Sequence, residues 1–116
     1  MGTIADPSAD SHFRLAEYQY ADEDFKESVE HYTSALTQSK DATPLQENII
    51  HKQAWAYFKL TDYEKSVASF KDQVTKYPEG GFVLDGKFML AESHYKLQNY
   101  QAALDAFLEL MEVEFP

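Results

Sequence analysis

The side chains that most often bind metals are present, but their spacing does not assemble a metal site. Four histidines occur: His12, His31, His51 and His94. None has a second histidine three or four residues away, where both would share one face of a helix. Since chelation requires clustered ligands, each histidine is interpreted as a surface or packing residue, and no metal site is predicted.

Residues able to perform catalysis also occur without a pattern that would organise them. Carboxylates cluster at Asp22-Glu23-Asp24 and at Glu109, Glu112 and Glu114. General acid–base catalysis needs a carboxyl group held beside the substrate in a desolvated cleft, whereas adjacent charges in a turn are usually solvated. The chain has no cysteine nucleophile and no glycine-rich phosphate loop. The sequence therefore predicts neither an enzyme nor a cofactor.

Composition narrows the classes of partner. The 116 residues carry a formal net charge of −10, so the chain would repel phosphate backbones and nucleic acid is not an expected partner. No run approaches the ~18 consecutive apolar residues of a membrane-spanning helix, so direct membrane insertion is not expected. The location is left unassigned: cytoplasmic, or periplasmic or cell-envelope if a leader has been removed.

An internal repeat organises the chain. Residues 56–70 align without a gap with residues 93–107 at an offset of 37, and Tyr63 aligns with Phe25 at an offset of 38. Three copies are predicted within one domain, at about residues 10–41, 43–79 and 82–116, after a flexible segment at residues 1–9.

Each copy is predicted to contain two amphipathic helices. In the second copy, Ala54 precedes Phe58 on the first helix, and Tyr63, Ser66 and Phe70 form a stripe on the second. The equivalent residues are Ala16, Tyr20, Phe25, Ser28 and Tyr32 in the first copy and Ala91, Tyr95, Tyr100, Ala103 and Phe107 in the third. The predicted helices span about residues 10–21, 24–39, 44–60, 63–77, 83–97 and 100–114.

Capping signals mark the starts of these helices. Thr43-Pro44 supplies a capping hydroxyl and a proline at the first helical position, and Gln46 is expected to return a hydrogen bond to Thr43. The side chains of Asp22, Asp62 and Asn99 are predicted to accept hydrogen bonds from the free N–H groups of the helix that follows each of them.

This pattern resembles the tetratricopeptide repeat family. The family signature appears as Ala54-x-x-Tyr57, Ser66-x-x-x-Phe70 and Pro78, and again as Ala103-x-x-x-Phe107. The resemblance covers roughly residues 10–116 and implies an all-α fold, a right-handed superhelical solenoid of three helix-turn-helix repeats with six helices. It also implies a protein-binding module without catalytic activity.

The chain departs from the family pattern in three respects. No tryptophan opens any repeat, and the residues at those positions are His12, Ile50 and Lys87. His94 and Gln19 replace the family tyrosine, and the offsets of 38 and 37 exceed the usual length of about 34 residues. Lengthened repeats of this kind, with Tyr77-Pro78 and Asn99-Tyr100, resemble those of bacterial outer-membrane and Tol-Pal-associated lipoproteins. This narrower resemblance predicts a cell-envelope protein.

The family resemblance further implies a peptide-binding groove on the concave face, lined by the first helix of each repeat. The implied groove residues are Phe13, Glu17, Tyr20, Asn48, His51, Trp55, Phe58, Lys59, Phe88, Glu92, Tyr95 and Lys96. Aromatic anchors beside carboxylates favour a basic and apolar peptide or helix, which the protein would hold as a scaffold or adaptor. Trp55 and Phe88 are the strongest candidates, whereas Tyr20, Phe58 and Tyr95 have the alternative role of filling the crease between repeats.

The last predicted helix leads to a second hypothesis. Residues 102–115 are apolar on more than one face, although packing under their own repeat buries only one. Leu104, Leu108, Met111 and Phe115 are therefore expected to contact a further repeat or a second copy of the chain, the latter making a homo-oligomer. The alternative function is a structural or oligomerising repeat fragment of a larger tetratricopeptide repeat protein, for which the cell envelope is one candidate location.

Overall fold

All regular secondary structure in the part of the chain that the structure describes is α-helix. The computed structural model describes residues 8–114, with side chains as far as Glu112. Its helices are α1 (Ser8–Ala21), α2 (Phe25–Gln38), α3 (Pro44–Lys59), α4 (Tyr63–Lys76), α5 (Val83–Lys96) and α6 (Tyr100–Glu114). Every end lies within two residues of the predicted one, and the all-α prediction is confirmed. None of these helices is both long and apolar enough to cross a lipid bilayer.

The helices form a row of three hairpins, α1–α2, α3–α4 and α5–α6, here called repeats 1, 2 and 3. Each helix packs chiefly on the helices before and after it in the chain. The molecule is consequently elongated, with principal extents of 53 × 29 × 19 Å. This is the architecture of a helical solenoid, in which each repeat contacts only its neighbours.

Small residues at equivalent positions let the helices approach closely. Ala16, Ala54 and Ala91 are fully buried on the first helices, as are Ser28 and Ser66 on the second helices. The buried aromatic residues of the second helices are Tyr32 and Phe70. Burial at matching positions confirms the registration of the repeats that the offsets predict.

Each hairpin turns through the same hydrogen-bonded motif. In repeat 2, the Asp62 N–H donates to the Tyr57 carbonyl and the Thr61 N–H donates to the Phe58 carbonyl, both at 2.9 Å. This pair of bonds is the Schellman motif, which ends a helix with one residue in the left-handed region. That residue is Thr61, with φ 60°, in repeat 2. Its equivalents in the other two turns, with φ 62° and 65°, are Glu23 and Gln98.

The capping predictions for the second helices are partly correct. Asp62 Oδ1 accepts from the Lys65 N–H at 3.3 Å and caps α4 as predicted. The prediction for Asp22 is wrong, because Asp24 occupies the N-cap of α2 and makes no side-chain capping hydrogen bond. The offset of 38 from Asp62 leads to Asp24, so register would have corrected this choice. Asn99 accepts from the Ala103 N–H at 3.0 Å through its backbone carbonyl.

The predicted N-cap of α3 is confirmed, but the predicted hydrogen bond from the Gln46 side chain back to Thr43 is not made. Thr43 Oγ1 accepts from the Gln46 N–H at 3.2 Å, and Pro44 is the first helical residue. The Gln46 amide does not return to Thr43 as expected; it donates to Asp41 Oδ1 at 3.1 Å and to Ser39 Oγ at 3.3 Å. Its carbonyl oxygen accepts from the Tyr77 hydroxyl. Gln46 therefore ties the loop before α3 to the end of α4.

Candidate functional site

The first helices of neighbouring repeats lie close enough for direct side-chain contact. Between α1 and α3, Lys52 Nζ lies 4.0 Å from Glu17 Oε2 and 5.8 Å from the ring centroid of Tyr20. Between α3 and α5, the Trp55 indole N–H donates to Asp85 Oδ2 at 2.9 Å. These contacts connect α1 to α3 and α3 to α5 through side chains of the first helices.

Those groove residues differ in how much of each side chain is available to a partner. The exposed ones are Lys59, Phe88, Tyr95 and Lys96. The partly buried ones are Phe13, Glu17, Tyr20, Asn48, Trp55, Phe58 and Glu92. His51 is buried, with 4% of its surface exposed. The groove side chains that are most accessible to a partner therefore lie along α5 and at the end of α3.

A cleft opens at the repeat 1 end of this surface. Its volume is about 550 Å³, and its lining residues are Asp10, Phe13, Arg14, Glu17, Tyr18 and Leu45. Two of the implied groove residues, Phe13 and Glu17, therefore border a real depression. The cleft mixes two carboxylates, one guanidinium group and aromatic rings, so it can contact both charged and apolar groups of a ligand.

Glu17 also has a structural role. The hydroxyl of fully buried Tyr32 donates a hydrogen bond to Glu17 Oε1. Burial, together with this carboxylate partner, raises the pKa of Tyr32, so the phenol stays a donor. The Glu17 carboxylate is held in place by this bond and by Lys52 on the neighbouring repeat.

A polar network, here called the His51 network, joins repeats 2 and 3. His51 Nδ1 donates to Gln73 Oε1 at 2.9 Å, and Gln73 Nε2 donates to the Phe82 carbonyl at 2.9 Å. His51 Nε2 lies 3.0 Å from Asp85 Oδ2, which also accepts from Trp55. Both ring nitrogens of His51 therefore face acceptor oxygens. Two of the implied groove residues, His51 and Trp55, thus stabilise the contact between repeats.

Two glycines complete this contact by leaving room for polar side chains. A Cβ atom on Gly86 would lie 2.6 Å from Gln73 Oε1, and one on Gly80 would lie 2.1 Å from Glu47 Oε2. Glu47 is buried and accepts from the Phe82 N–H at 3.1 Å. Sequence reasoning missed these residues. A signal existed for Gln73, because the equivalent positions in the other repeats carry the apolar residues Ala35 and Leu110.

The tyrosine and phenylalanine rings at the ends of the first helices pack within their own repeats. Each lies 5.1–5.5 Å, centroid to centroid, from the first aromatic ring of the following helix, in an edge-to-face arrangement. The pairs are Tyr20–Phe25, Phe58–Tyr63 and Tyr95–Tyr100. Each of these rings therefore packs on the second helix of its own hairpin, across the Schellman turn.

The remaining histidines lie in helix-packing positions. The rings of His12 and His31 stack at 5.6 Å, and His31 Nδ1 lies 2.8 Å from Gln19 Oε1. His94 Nδ1 is buried without a hydrogen-bond partner, and desolvation, with a smaller effect of Lys71, lowers the His94 pKa. Among the side chains of residues 8–112, no three His, Asp or Glu groups converge as metal ligands would.

The residues implied as an oligomer or next-repeat contact lie at the far end of the solenoid. Leu104, Leu108 and Met111 are each about half exposed on α6. The fourth, Phe115, lies outside the described residues. Phe88 belongs to this end as much as to the groove, because its ring lies 5.6 Å from that of Phe107 on α6.

Three stacked helical hairpins with one recurring turn and one recurring set of buried positions define a helical-repeat protein. The family model described as tetratricopeptide repeat matches residues 51–116, more than half of the chain. The chain therefore belongs to the tetratricopeptide repeat family, whose repeats are non-catalytic scaffolds that mediate protein–protein interaction. No curated protein matches the chain.

Proposed function

We propose that the protein is a scaffold or adaptor that binds a basic and apolar peptide along the surface of its first helices. The observation that carries this proposal is the set of contacts from Glu17 to Lys52 and from Trp55 to Asp85. These contacts align α1, α3 and α5, so that one ligand can touch side chains from all three repeats.

The chemistry of the surface supports a partner with lysine or arginine beside aliphatic residues. Phe88 and Tyr95 are 47% and 55% exposed, and large aromatic side chains lose little conformational entropy when they bind. Glu92 lies between them on α5 and is partly exposed. With a net charge of −10 on the whole chain, a basic partner is also steered towards the protein.

Two substitutions on α5 test the groove with the least damage to the fold. Trp55→Ala would remove the bond to Asp85, so Glu92→Gln and Tyr95→Ala are the better pair. The ligand is a fluorescent peptide of alternating lysine and leucine with interspersed prolines, which keep it extended. The double variant should bind this peptide about tenfold more weakly, because an anchor and an attractive charge are both lost.

Controls separate groove binding from general attraction to an acidic protein. Leu15→Ala, at an exposed apolar residue outside the implied groove, should leave affinity unchanged. A peptide with glutamate in place of lysine should bind much more weakly to the unmodified protein. Equal affinity of the double variant and the unmodified protein would refute the groove, provided their far-UV circular dichroism melts agree.

The narrower resemblance to envelope lipoproteins stays a prediction about where such a scaffold works. It rests on the lengthened repeats and on residues such as Tyr77-Pro78 and Asn99-Tyr100. The complete reading frame tests it, since a leader ending in a lipidated cysteine would support an envelope protein. A complete frame without such a leader would contradict this location without affecting the groove.

A further inference from the structure

The repeat 3 end of the solenoid exposes apolar side chains at positions that are buried between repeats elsewhere. In repeat 2, Glu47 and His51 face repeat 3 and are each 4% exposed. Their equivalents 37 residues later are Leu84 and Phe88, which are 48% and 47% exposed. The positions that pack against the following repeat in repeat 2 are therefore exposed and apolar in repeat 3.

Helix α6 shows the same change of exposure. Leu104 and Met111 occupy the positions of Val67 and Val74 on α4, which are partly buried. At the end of the solenoid these positions are 50% and 54% exposed. Leu104 and Met111, together with Leu108 on α6 and with Leu84 and Phe88 on α5, form the end face.

Leu108 distinguishes the end face from an ordinary solvent-exposed position. It is 49% exposed and stands where α4 has Lys71 and α2 has Thr33, both exposed. Inside the solenoid this position is polar, as expected for a residue in contact with water. On α6 it is aliphatic and extends the apolar stripe formed by Leu104 and Met111.

Charge indicates the chemistry of the occupant. Residues 100–114 contain no lysine, arginine or histidine, and Asp105, Glu109 and Glu112 lie along one side of the apolar stripe. Glu109 Oε1 lies 3.7 Å from Lys87 Nζ, whereas Asp105 and Glu112 lie exposed along the helix. An occupant with lysine or arginine beside its apolar side chains is complementary to this border.

The contact between repeats 2 and 3 shows the shape of element that fits such a face. Helix α5 presents Gly86, Leu90 and Ser93, residues three to four positions apart, to repeat 2. Gly86 lies against Gln73, and the Ser93 and Ser66 hydroxyls are 2.8 Å apart. Small and aliphatic side chains in one stripe let a helix approach closely, so the end face fits a helix rather than an extended strand.

A second copy of the chain is a poor occupant. Head-to-tail stacking would place α1 on the end face, and Tyr18 stands where Ala56 and Ser93 are fully buried. A tyrosine is too large for a contact built for alanine or serine. A two-fold dimer through α6 would instead bring two acidic, base-free helices together, which like charges disfavour.

We propose that the end face binds a basic amphipathic helix of another protein. That helix carries small or aliphatic residues at i, i+3 or i+4, and i+7, with lysine or arginine on the flank that faces Asp105 and Glu112. This site shares Phe88 with the groove of the first helices but is otherwise distinct from it, because its α6 residues belong to no implied groove position. The protein would then hold two partners, one along its length and one at its end.

The test uses the whole chain and a designed helical peptide of about 18 residues. The peptide has alanine and leucine in one stripe and lysine elsewhere, and its control is a permuted peptide of identical composition without a stripe. The protein variant is Leu104→Gln with Leu108→Gln and Met111→Gln, matched by Leu15→Gln at another exposed leucine. We expect the triple variant to bind the striped peptide at least about tenfold more weakly and Leu15→Gln to bind it unchanged.

A charge variant and a solution measurement complete the experiment. Asp105→Asn with Glu112→Gln should weaken binding and reduce its dependence on salt. Equal binding of the striped and permuted peptides, or unchanged binding by the triple variant, would overturn the proposal. Sedimentation showing a dimer that the triple variant abolishes would also overturn it, in favour of a second copy. The groove variants at Glu92 and Tyr95 should leave this peptide's affinity unchanged, so the two proposals fail separately.

Discussion

At the scale of single residues, the contact between repeats 2 and 3 depends on polar side chains that each satisfy a specific partner. Gln73 is fully buried, and both ends of its amide are hydrogen-bonded, to His51 and to the Phe82 carbonyl. Such a side chain cannot move without leaving a buried polar group unpaired, which costs about 1–3 kcal/mol. The small size of Gly86 next to it is therefore a requirement of the fold.

Gly86→Ala should destabilise the protein, although alanine is the better helix former by about 1 kcal/mol. The new methyl group would lie within 2.6–2.9 Å of the Gln73 amide and would displace it. We expect a net loss of about 1–3 kcal/mol in the free energy of unfolding, measured by urea denaturation. Gly81→Ala is the matched control, because no atom beyond its chain neighbours lies within 4 Å of its Cβ position. A Gly86→Ala variant as stable as the unmodified protein would show that Gln73 is free to move.

His94 should make stability fall in mild acid. Desolvation and Lys71 lower its pKa from 6.5, so the unfolded chain binds a proton more readily than the folded protein. The unprotonated His94 therefore contributes fully to the free energy of unfolding above about pH 6.5. This contribution decreases as the pH falls below that value. His94→Gln, with the residue that Gln19 supplies in repeat 1, should reduce this decrease between about pH 7 and about pH 5. Parallel stability curves for both proteins would contradict the prediction.

At the scale of elements, the three Schellman turns are equivalent in geometry but not in the residue at the left-handed position. Glu23, Thr61 and Gln98 all have φ near 60° without being glycine. The left-handed region costs an L-residue about 1–2 kcal/mol, and a β-branched side chain is the least suited to it. Thr61 is therefore the most strained of the three.

Thr61→Gly should stabilise the protein by about 0.5–1 kcal/mol, since relief of strain exceeds the greater entropy of glycine in the unfolded chain. Thermal unfolding followed by circular dichroism measures the gain. Thr37→Gly, on the exposed side of α2, should have the opposite effect because its backbone is right-handed helix. A loss of stability in Thr61→Gly would show that the threonine side chain makes a contact that outweighs the strain.

At the scale of the whole molecule, stability should vary from one end of the solenoid to the other. Repeat 2 is packed on both sides, and α3 has eight buried residues where α1 has two. Repeat 3 leaves its end face open. In a structure held together by neighbouring repeats, the end repeats open more easily than the central one.

Native-state hydrogen exchange should show this gradient. Amides of α3 and α4 should exchange most slowly, and those of α1 and α6 should exchange fastest among the helices. Addition of the striped basic peptide should slow exchange in α6 more than in α1, because the end face is formed by α5 and α6. Uniform protection along the chain would indicate a single cooperative unit instead.

Sequence by itself determined the repeat, the helix pairs and their registration. Small and aromatic residues such as Ala54 and Phe70 recur at fixed offsets, and their packing is local, so their positions can be read from the chain. The family resemblance of the sequence also implied a row of first-helix residues as a binding groove, which stays a prediction.

Only the tertiary structure decided which of those residues are available to a partner. His51 would be an exposed groove residue by its position on α3, but Gln73 and Asp85, 22 and 34 residues further along the chain, enclose it. Phe88 occupies the equivalent position and stays exposed because no repeat is packed on it in this structure. Burial of a polar or aromatic side chain depends on its neighbour in the next repeat, and the periodicity of one repeat carries no information about that neighbour.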